Sequence, residues 1–361
     1  MKRALSTDSF NDEDRAEDRS GIHISRRLTS GTSDGGADAI PILLLTDIGR
    51  DIDDTLALIA LQGLQRRGKI RLVGVVGTGG AGIDRARVVR WWLRRFHIAD
   101  HDCPVAYCRS EGKLACAIPA GTPVTADAAL VDGSAAAMIV DLARAHAHRL
   151  VIFAIAPLAP LADALADAAD LKLLRSNVHS LWIQGQVKLE AAGRLSPDFA
   201  SFNLRENRQA ALTVFNALQD YVPFRLLGKH AAYQVPLTPS DFSRWDGVLG
   251  STEMTDLAKR NLAIFRSENP ALFYKLYPVS EEQRTTADWF DALDVLSHPY
   301  DPLLAVFLTE GALFDPTHET GAAGVEHMHV GNEPGGKAGI VDAAALKSCL
   351  CTLVSDGLSS L

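Results

Sequence analysis

Between Pro41 and Leu58 the chain reads PILLLTDIGRDIDDTLAL, which places four carboxylates, Asp47, Asp51, Asp53 and Asp54, within eight residues. Pro41 to Leu45 form a short apolar run that predicts a buried strand. Asp54 and Thr55 then open a helical pattern with Leu56, Leu58, Ile59, Leu61 and Leu64 as its apolar positions. The four acids therefore share one strand-to-helix turn, and in an open parallel sheet the turn leaving the carboxyl end of a strand is where ligands bind. Capping and turn chemistry explain one or two such acids: Asp53 or Asp54 can cap the helix, and Asp51 can be a solvated turn acid. Four of them repel one another without a counter-ion. Hard divalent cations, calcium or magnesium, take oxygen ligands of this kind. An EF-hand is excluded, because Ile52 and Leu56 stand where that loop needs oxygens and no glycine follows at the required place.

Beyond the acid turn, strand and helix patterns alternate. Ile70 to Gly77, Leu150 to Ile155, His179 to Gln184 and Val222 to Leu227 read as buried strands. Asp84 to Phe96, Pro160 to Ala169 and Asn203 to Leu218 read as helices. This rhythm implies right-handed crossovers and an α/β fold: an open, mainly parallel sheet with helices on both faces. After Ser240 the pattern turns mostly helical, through Leu257 to Tyr277, Glu281 to Leu296 and Asp301 to Thr309. An extended segment, Val325 to Val330, is flanked by glycine-rich turns. Residues 1–39 carry few large apolar side chains and predict a disordered tail. The irregular stretch from Ser110 to Asp132 fits either a flap over a pocket or a surface loop.

The formal charge of −8 and pI near 5.8 argue against a nucleic-acid binder and favour a small-molecule ligand. Five cysteines, odd in number and without metal-finger spacing, suit the reduced thiols of an intracellular, cytoplasmic protein. Neither a membrane span nor a secretory signal is expected.

One turn cannot complete a cation's shell. Further oxygens are expected from Ala156-Pro157-Leu158-Ala159-Pro160, from Ser201-Phe202-Asn203 and from His298-Pro299-Tyr300-Asp301-Pro302, with Asp301 the strongest distant candidate. Taken alone, Asp301 before Pro302 also fits a helix cap, and so does Asn203. These segments, in this order, resemble the inosine-uridine nucleoside hydrolase family from about Ile40 to the last quarter of the chain. That family opens on a strand, DTDxGxDD and a helix. Here Thr46, Asp47, Gly49, Asp53 and Asp54 match, in a turn longer by two residues. Arg85-Ala86-Arg87 after Gly77, Ala156-Pro157-Leu158 (GPLTN), Phe202-Asn203 (EFN) and Tyr300-Asp301-Pro302-Leu303 (HDPLA) are the further matches.

The resemblance implies one nucleoside hydrolase-like, Rossmann-like domain over residues 40–361 and calcium-dependent cleavage of ribonucleosides into base and ribose. Asp47 would bind calcium and take the proton of the attacking water. Asp54, Asp301 and the main-chain carbonyl of Ala159 would complete the protein ligands, while Asp53 and Asn203 would hold ribose hydroxyls. Thr78 and Ser201 occupy positions where the family commonly has asparagine and glutamate, so they too would face the substrate. Tyr300 replaces a histidine that in some members protonates the leaving base, and Tyr300, His298 and Trp289 are the candidates for that role. Asp51 is a rival to Asp47. A homodimer or homotetramer is compatible with the resemblance.

Leu45, Thr78, Pro160 and Ser201 depart from the family pattern, which also admits a weak or silent relative that only binds a nucleoside. A third expectation, weaker than both, is a haloacid dehalogenase-like phosphatase, because Asp51-Ile52-Asp53-Asp54-Thr55 matches DxDxT. Lys229, just beyond a strand, has no role in any of these.

Overall fold

Alternation along the first strand decides how the molecule is layered. In the computed structural model, β1 (Ile40–Thr46) sends Ile42 and Leu44 into the core on one side of the sheet and Leu43 and Leu45 into the core on the other. All four are fully buried, so β1 is covered on both faces, as a central parallel strand must be. The structure describes residues 39–108, 118, 122–125, 130, 134–286, 288–335 and 338–361. The expected tail over residues 1–39 and the expected flap or loop from Ser110 to Asp132 lie, but for isolated positions, outside them.

Strand and helix alternate through α1 (Ile52–Arg66), β2 (Ile70–Gly77), α2 (Gly82–Arg95), β3 (Val105–Tyr107), α3 (Ala135–Ala145), β4 (Leu150–Ala154), α4 (Ala159–Ala164), α5 (Ala168–Asn177) and β5 (Val178–Gln184). A small hairpin, β6 (Val187–Leu189) with β7 (Leu195–Pro197), leads to α6 (Phe202–Glu206), α7 (Arg208–Leu218), β8 (Phe224–Leu227) and α8 (Lys229–Ala232). The last part holds α9 (Pro239–Leu249), α10 (Glu253–Glu268), α11 (Pro270–Leu276), α12 (Glu281–Arg284), α13 (Pro302–Thr309), β9 (Thr317–Thr320), β10 (Glu326–Val330) and α14 (Ala343–Leu358).

Among the described residues the main sheet has eight strands in the order β3-β2-β1-β4-β5-β8-β10-β9, parallel throughout except for β9 at one edge. The chain runs outward from β1 through β2 to β3, then returns to place β4 on the other side of β1. That reversal opens a crevice at the carboxyl ends of β1 and β4, the place where open α/β sheets bind ligands.

Several expected helices are shorter than periodicity suggested. The run from Pro160 to Ala169 breaks at Asp167, whose side chain caps α5 by accepting from the amides of Ala169 and Asp170. The run from Asn203 to Leu218 breaks at Asn207, which turns out of helical φ and caps α7. Pro270 divides the run ending at Tyr277, since it has no amide to donate. Among the described residues from Glu281 to Leu296 only α12 is regular.

One close approach locks α1 in place. Gly63 of α1 and Gly357 of α14 leave no room for a side chain: a Cβ on Gly63 would collide with the Leu353 carbonyl, and one on Gly357 with the carbonyl of Ile59. The helices cross backbone to backbone, and α1 is buried almost along its whole length.

Candidate active site

The acid turn is built by its own hydrogen bonds. Asp54 is only 4% exposed, and its Oδ1 accepts from Thr46 Oγ1 at 2.5 Å and from the Asp47 amide at 3.1 Å. Asp53 Oδ1 accepts from the Asp54 amide at 3.1 Å. Asp51 holds the N-cap position of α1, yet its carboxylate makes no cap hydrogen bond and is exposed. Capping therefore does not account for these acids.

Asp301 arrives from far along the chain. An isolated β-bridge between Leu237 and Ser297 pins the segment before it, and the helix α13, apolar and buried from Pro302 to Leu308, lies behind it. Asp301 occupies the N-cap of α13 but, like Asp51, makes no side-chain cap bond. Its carboxylate instead meets the acid turn: single oxygens of Asp53, Asp54 and Asp301 lie within 4.8 Å of one another.

Burial is the first cause that pushes Asp53, Asp54 and Asp301 well above the usual carboxylate range, and the negative charge of neighbouring aspartates pushes them further. Asp47 rises to about 6, chiefly through burial and against the lowering effect of the Arg85 guanidinium. Carboxylates this close cannot all ionise by themselves, and a cation restores their charge. An all-oxygen donor set, partly orphaned of other partners, suits a hard divalent ion. These residues could hold a metal.

Arg85 organises the turn from beneath. It is 1% exposed, and its guanidinium donates to the Ile48 carbonyl at 3.0 Å and to the Gly79 carbonyl at 3.1 Å. Gly79, at φ +82°, lies so near that a Cβ there would come 2.9 Å from Asp47 Cβ. A residue with a side chain would displace Asp47. Arg50, also in the acid turn, is ion-paired to Glu268 at the end of α10, and Asn261 of α10 donates to the Arg50 carbonyl.

A cleft of about 510 Å³ collects the carboxyl ends of five strands. Asp47, Asp53 and Asp54 follow β1, Thr78 follows β2, Ala159 follows β4, Gln184 ends β5 and Lys229 follows β8. Ser201, Asn203, His298, Tyr300 and Asp301 also line it, so every residue singled out from the sequence as a site candidate except Trp289 borders one cavity. Trp289, by contrast, lies outside the lining. Asn203 is not a cap: its amide donates to the Ile155 carbonyl and to Gln184 Oε1, both at 3.0 Å. Both hydrogens are thus used, which leaves Oδ1 for a ligand hydroxyl. Ser201 Oγ accepts from the Gln186 amide at 2.7 Å, so its own proton is the one it can donate outward.

At the other end the cleft is aromatic. Tyr233 packs against His298 and Tyr300 with ring centroids 5.1 and 5.9 Å away, and Tyr277 lies 5.6 Å from His298. Burial raises the Tyr300 hydroxyl well above its usual range, and Tyr233 holds the proton further, so Tyr300 stays protonated. Burial also lowers His298 and keeps it neutral, although the Leu276 carbonyl pulls the other way. Among the described residues neither ring nitrogen has a hydrogen-bond partner of ordinary geometry.

Sequence reasoning missed Gln184, Tyr233 and Tyr277, and had Arg85 only as part of a resemblance. Gln184 carried a signal: it is a polar side chain at the end of an apolar strand. The tyrosines carried none, because aromatic residues in helical segments look like core.

A doubly wound sheet with a carboxylate-floored cleft at its reversal point marks an α/β enzyme. Residues 42–342 match the family described as inosine-uridine preferring nucleoside hydrolase, and the chain belongs to that family. It is thus an N-ribohydrolase, an enzyme whose class acts on small-molecule nucleosides.

Solved structures share the fold. The type III effector protein XopQ complexed with adenosine diphosphate ribose aligns over 90% of this chain and 96% of its own at 22% identity, with a TM-score of 0.74. A purine-preferring ribonucleoside hydrolase from Gardnerella vaginalis aligns over 88% and 99% at 16% identity, TM-score 0.58. An inosine-uridine preferring nucleoside hydrolase from Bacillus anthracis aligns over 88% and 99% at 15% identity, TM-score 0.56. No curated relative matches the chain in sequence. Among the described residues no helix is long and apolar enough to cross a membrane.

Proposed function

We propose that this protein hydrolyses the N-glycosidic bond of ribonucleosides and requires calcium to do so. The observation that carries this reading is the convergence of Asp53, Asp54 and Asp301. Asp54, Asp301, Asp47 and the Ala159 carbonyl would hold the ion, which supplies Lewis acidity to water and to the sugar's diol. Asp47 takes the proton of the attacking water; its raised pKa, near 6, makes it a stronger base than a solvated aspartate. Asp53 and the free Oδ1 of Asn203 hold the ribose hydroxyls, with Thr78 and Ser201 beside them.

Breaking the bond builds positive charge on the sugar, and a carboxylate floor stabilises that charge more than it stabilises the neutral ground state. Tyr300, kept protonated, donates toward the departing base, and the neutral His298 beside it is the reserve. The test is ribose release from inosine, uridine and adenosine by purified protein with calcium, and its loss on chelation. Absence of release from all three, with calcium present, sinks the activity.

A second reading is favoured by Ser201, whose oxygen already serves the Gln186 amide. There the protein binds a ribosyl ligand with little turnover, as suits its similarity to an effector solved with adenosine diphosphate ribose. Calorimetric binding without ribose release distinguishes it.

A further inference from the structure

Four basic residues line the cleft, and they differ in what occupies them. Arg50 is paired with Glu268, and Arg85 is spent on backbone carbonyls. Among the described residues, Lys229 and Arg205 have no carboxylate within ion-pair distance; Arg205 lies over the Phe202 ring, 5.5 Å from its centroid. Lys229 is only partly exposed, and a cation set into a pocket wall without a counter-charge is poised for an anion.

Its position is built. Gly228 donates its amide to the Val330 carbonyl at 2.7 Å, and the His230 amide reaches the Gly331 carbonyl at 3.2 Å, so Lys229 leaves β8 between two tethers. Gly228 also packs on Gln186: a Cβ there would come 2.8 Å from Gln186 Cγ. The Gln186 amide is the donor to Ser201, so contacts run from Ser201 through Gln186 to the root of Lys229. Ser201 begins α6, which carries Arg205. Two cations and one hydroxyl with a proton left to donate thus line the same cleft. The family pattern has a glutamate in place of Ser201. A carboxylate only accepts and repels anions, whereas this hydroxyl donates.

We propose that the ligand of this cleft carries a phosphoryl group on its ribosyl 5′ side, held by Lys229 and Arg205 with a hydrogen bond from Ser201, while the diol end faces the carboxylate floor. The substrate class is then ribonucleoside 5′-phosphates rather than free nucleosides. The inference rests on the ribosyl reading of the site given above. Glu206, which also lines the cleft, opposes the anion and sets how tightly it is held.

Calorimetry on the calcium-loaded full chain compares inosine 5′-monophosphate with inosine, and ribose 5-phosphate with ribose. The expected result is at least a ten-fold preference for each phosphorylated partner, weakening as salt is raised. Lys229→Met should cut that preference about ten-fold, Lys229→Arg should restore most of it, and Glu206→Gln should increase it. Inosine bound as tightly as its phosphate overturns this proposal and leaves nucleoside hydrolysis standing. The same holds if the preference is indifferent to salt and to Lys229→Met. Binding of neither inosine nor its phosphate overturns both.

Discussion

Asp54 and Asp301 belong to different helices, α1 and α13, yet each brings a carboxylate oxygen, together with one from Asp53, into a group spanning no more than 4.8 Å. Both are 4% exposed and neither caps its own helix. Such a pair costs stability until something positive sits between its members.

Calcium should therefore raise the thermal midpoint of the wild-type protein, since a ligand that binds only the folded state stabilises it by mass action. Asp301→Asn should weaken calcium affinity by roughly 100-fold or more, read by calorimetry, and should erase the thermal shift. In chelator the same variant should be no less stable than wild type, because it relieves repulsion. A calcium-independent midpoint in the wild type counts against the site.

The dependence on pH follows from Asp47. Its folded pKa, near 6, lies above its ordinary 3.8, so between those values the metal-free folded protein binds more protons than the unfolded chain. This group's contribution to stability is present at low pH and is lost as pH rises through about 6. Calcium affinity should move the opposite way, rising over that range as the ion no longer has to displace a proton. Titrations at several pH values, with and without the ion, check both slopes.

Asn203 and Gln184 should separate binding from support. Asn203→Ala removes the group proposed to face the sugar, and kcat/KM should fall by roughly 100-fold or more. Gln184→Ala leaves Asn203 in place but frees one of its two anchors, so a smaller loss is expected, mostly in kcat. Equal losses would assign Gln184 a contact with substrate.

Tyr300→Phe should slow hydrolysis of inosine by about 10²–10⁴-fold if the hydroxyl protonates the leaving base. A riboside whose leaving group is p-nitrophenolate needs no such proton and should be cleaved at nearly the wild-type rate. Equal slowing of both substrates would move the role to His298 or to geometry alone.

Gly357→Ala tests the crossing of α1 and α14. The added methyl meets the Ile59 carbonyl, which belongs to a helix backbone and cannot step aside. A loss of about 1–3 kcal/mol is expected from overpacking of this kind, measured by chemical denaturation. Because α1 also carries Asp53 and Asp54, calcium affinity should fall with it.

The sequence made the α/β class and the acid turn legible, because both are written over short range. The apolar run of β1, the helical spacing from Leu56 to Leu64 and the four acids between them need no distant contact to be recognised. Boundaries were less legible wherever one side chain decided them. Asp167 and Asn207 each end one helical pattern and cap the next, and a hydrophobic pattern does not register a cap. Glu281 to Leu296 looked helical by pattern, yet among its described residues only the first turn is.

Whether Asp301 and Asn203 were caps or ligand groups was open in the sequence, since either role uses the same residue before the same kind of helix. The fold removes the cap reading for both: Asp301 makes no cap bond and meets Asp53 and Asp54 instead, and both amide hydrogens of Asn203 go to Ile155 and Gln184. Which cations in the cleft are spent was likewise tertiary, because Arg50 meets Glu268, and Lys229 meets no acid among the described residues, only once α10 and β8 are in place. Local order in a chain records torsional preference and hydrophobic period. Charge pairing is a property of distance in space, and the strand crossover between β1 and β4 is what sets those distances.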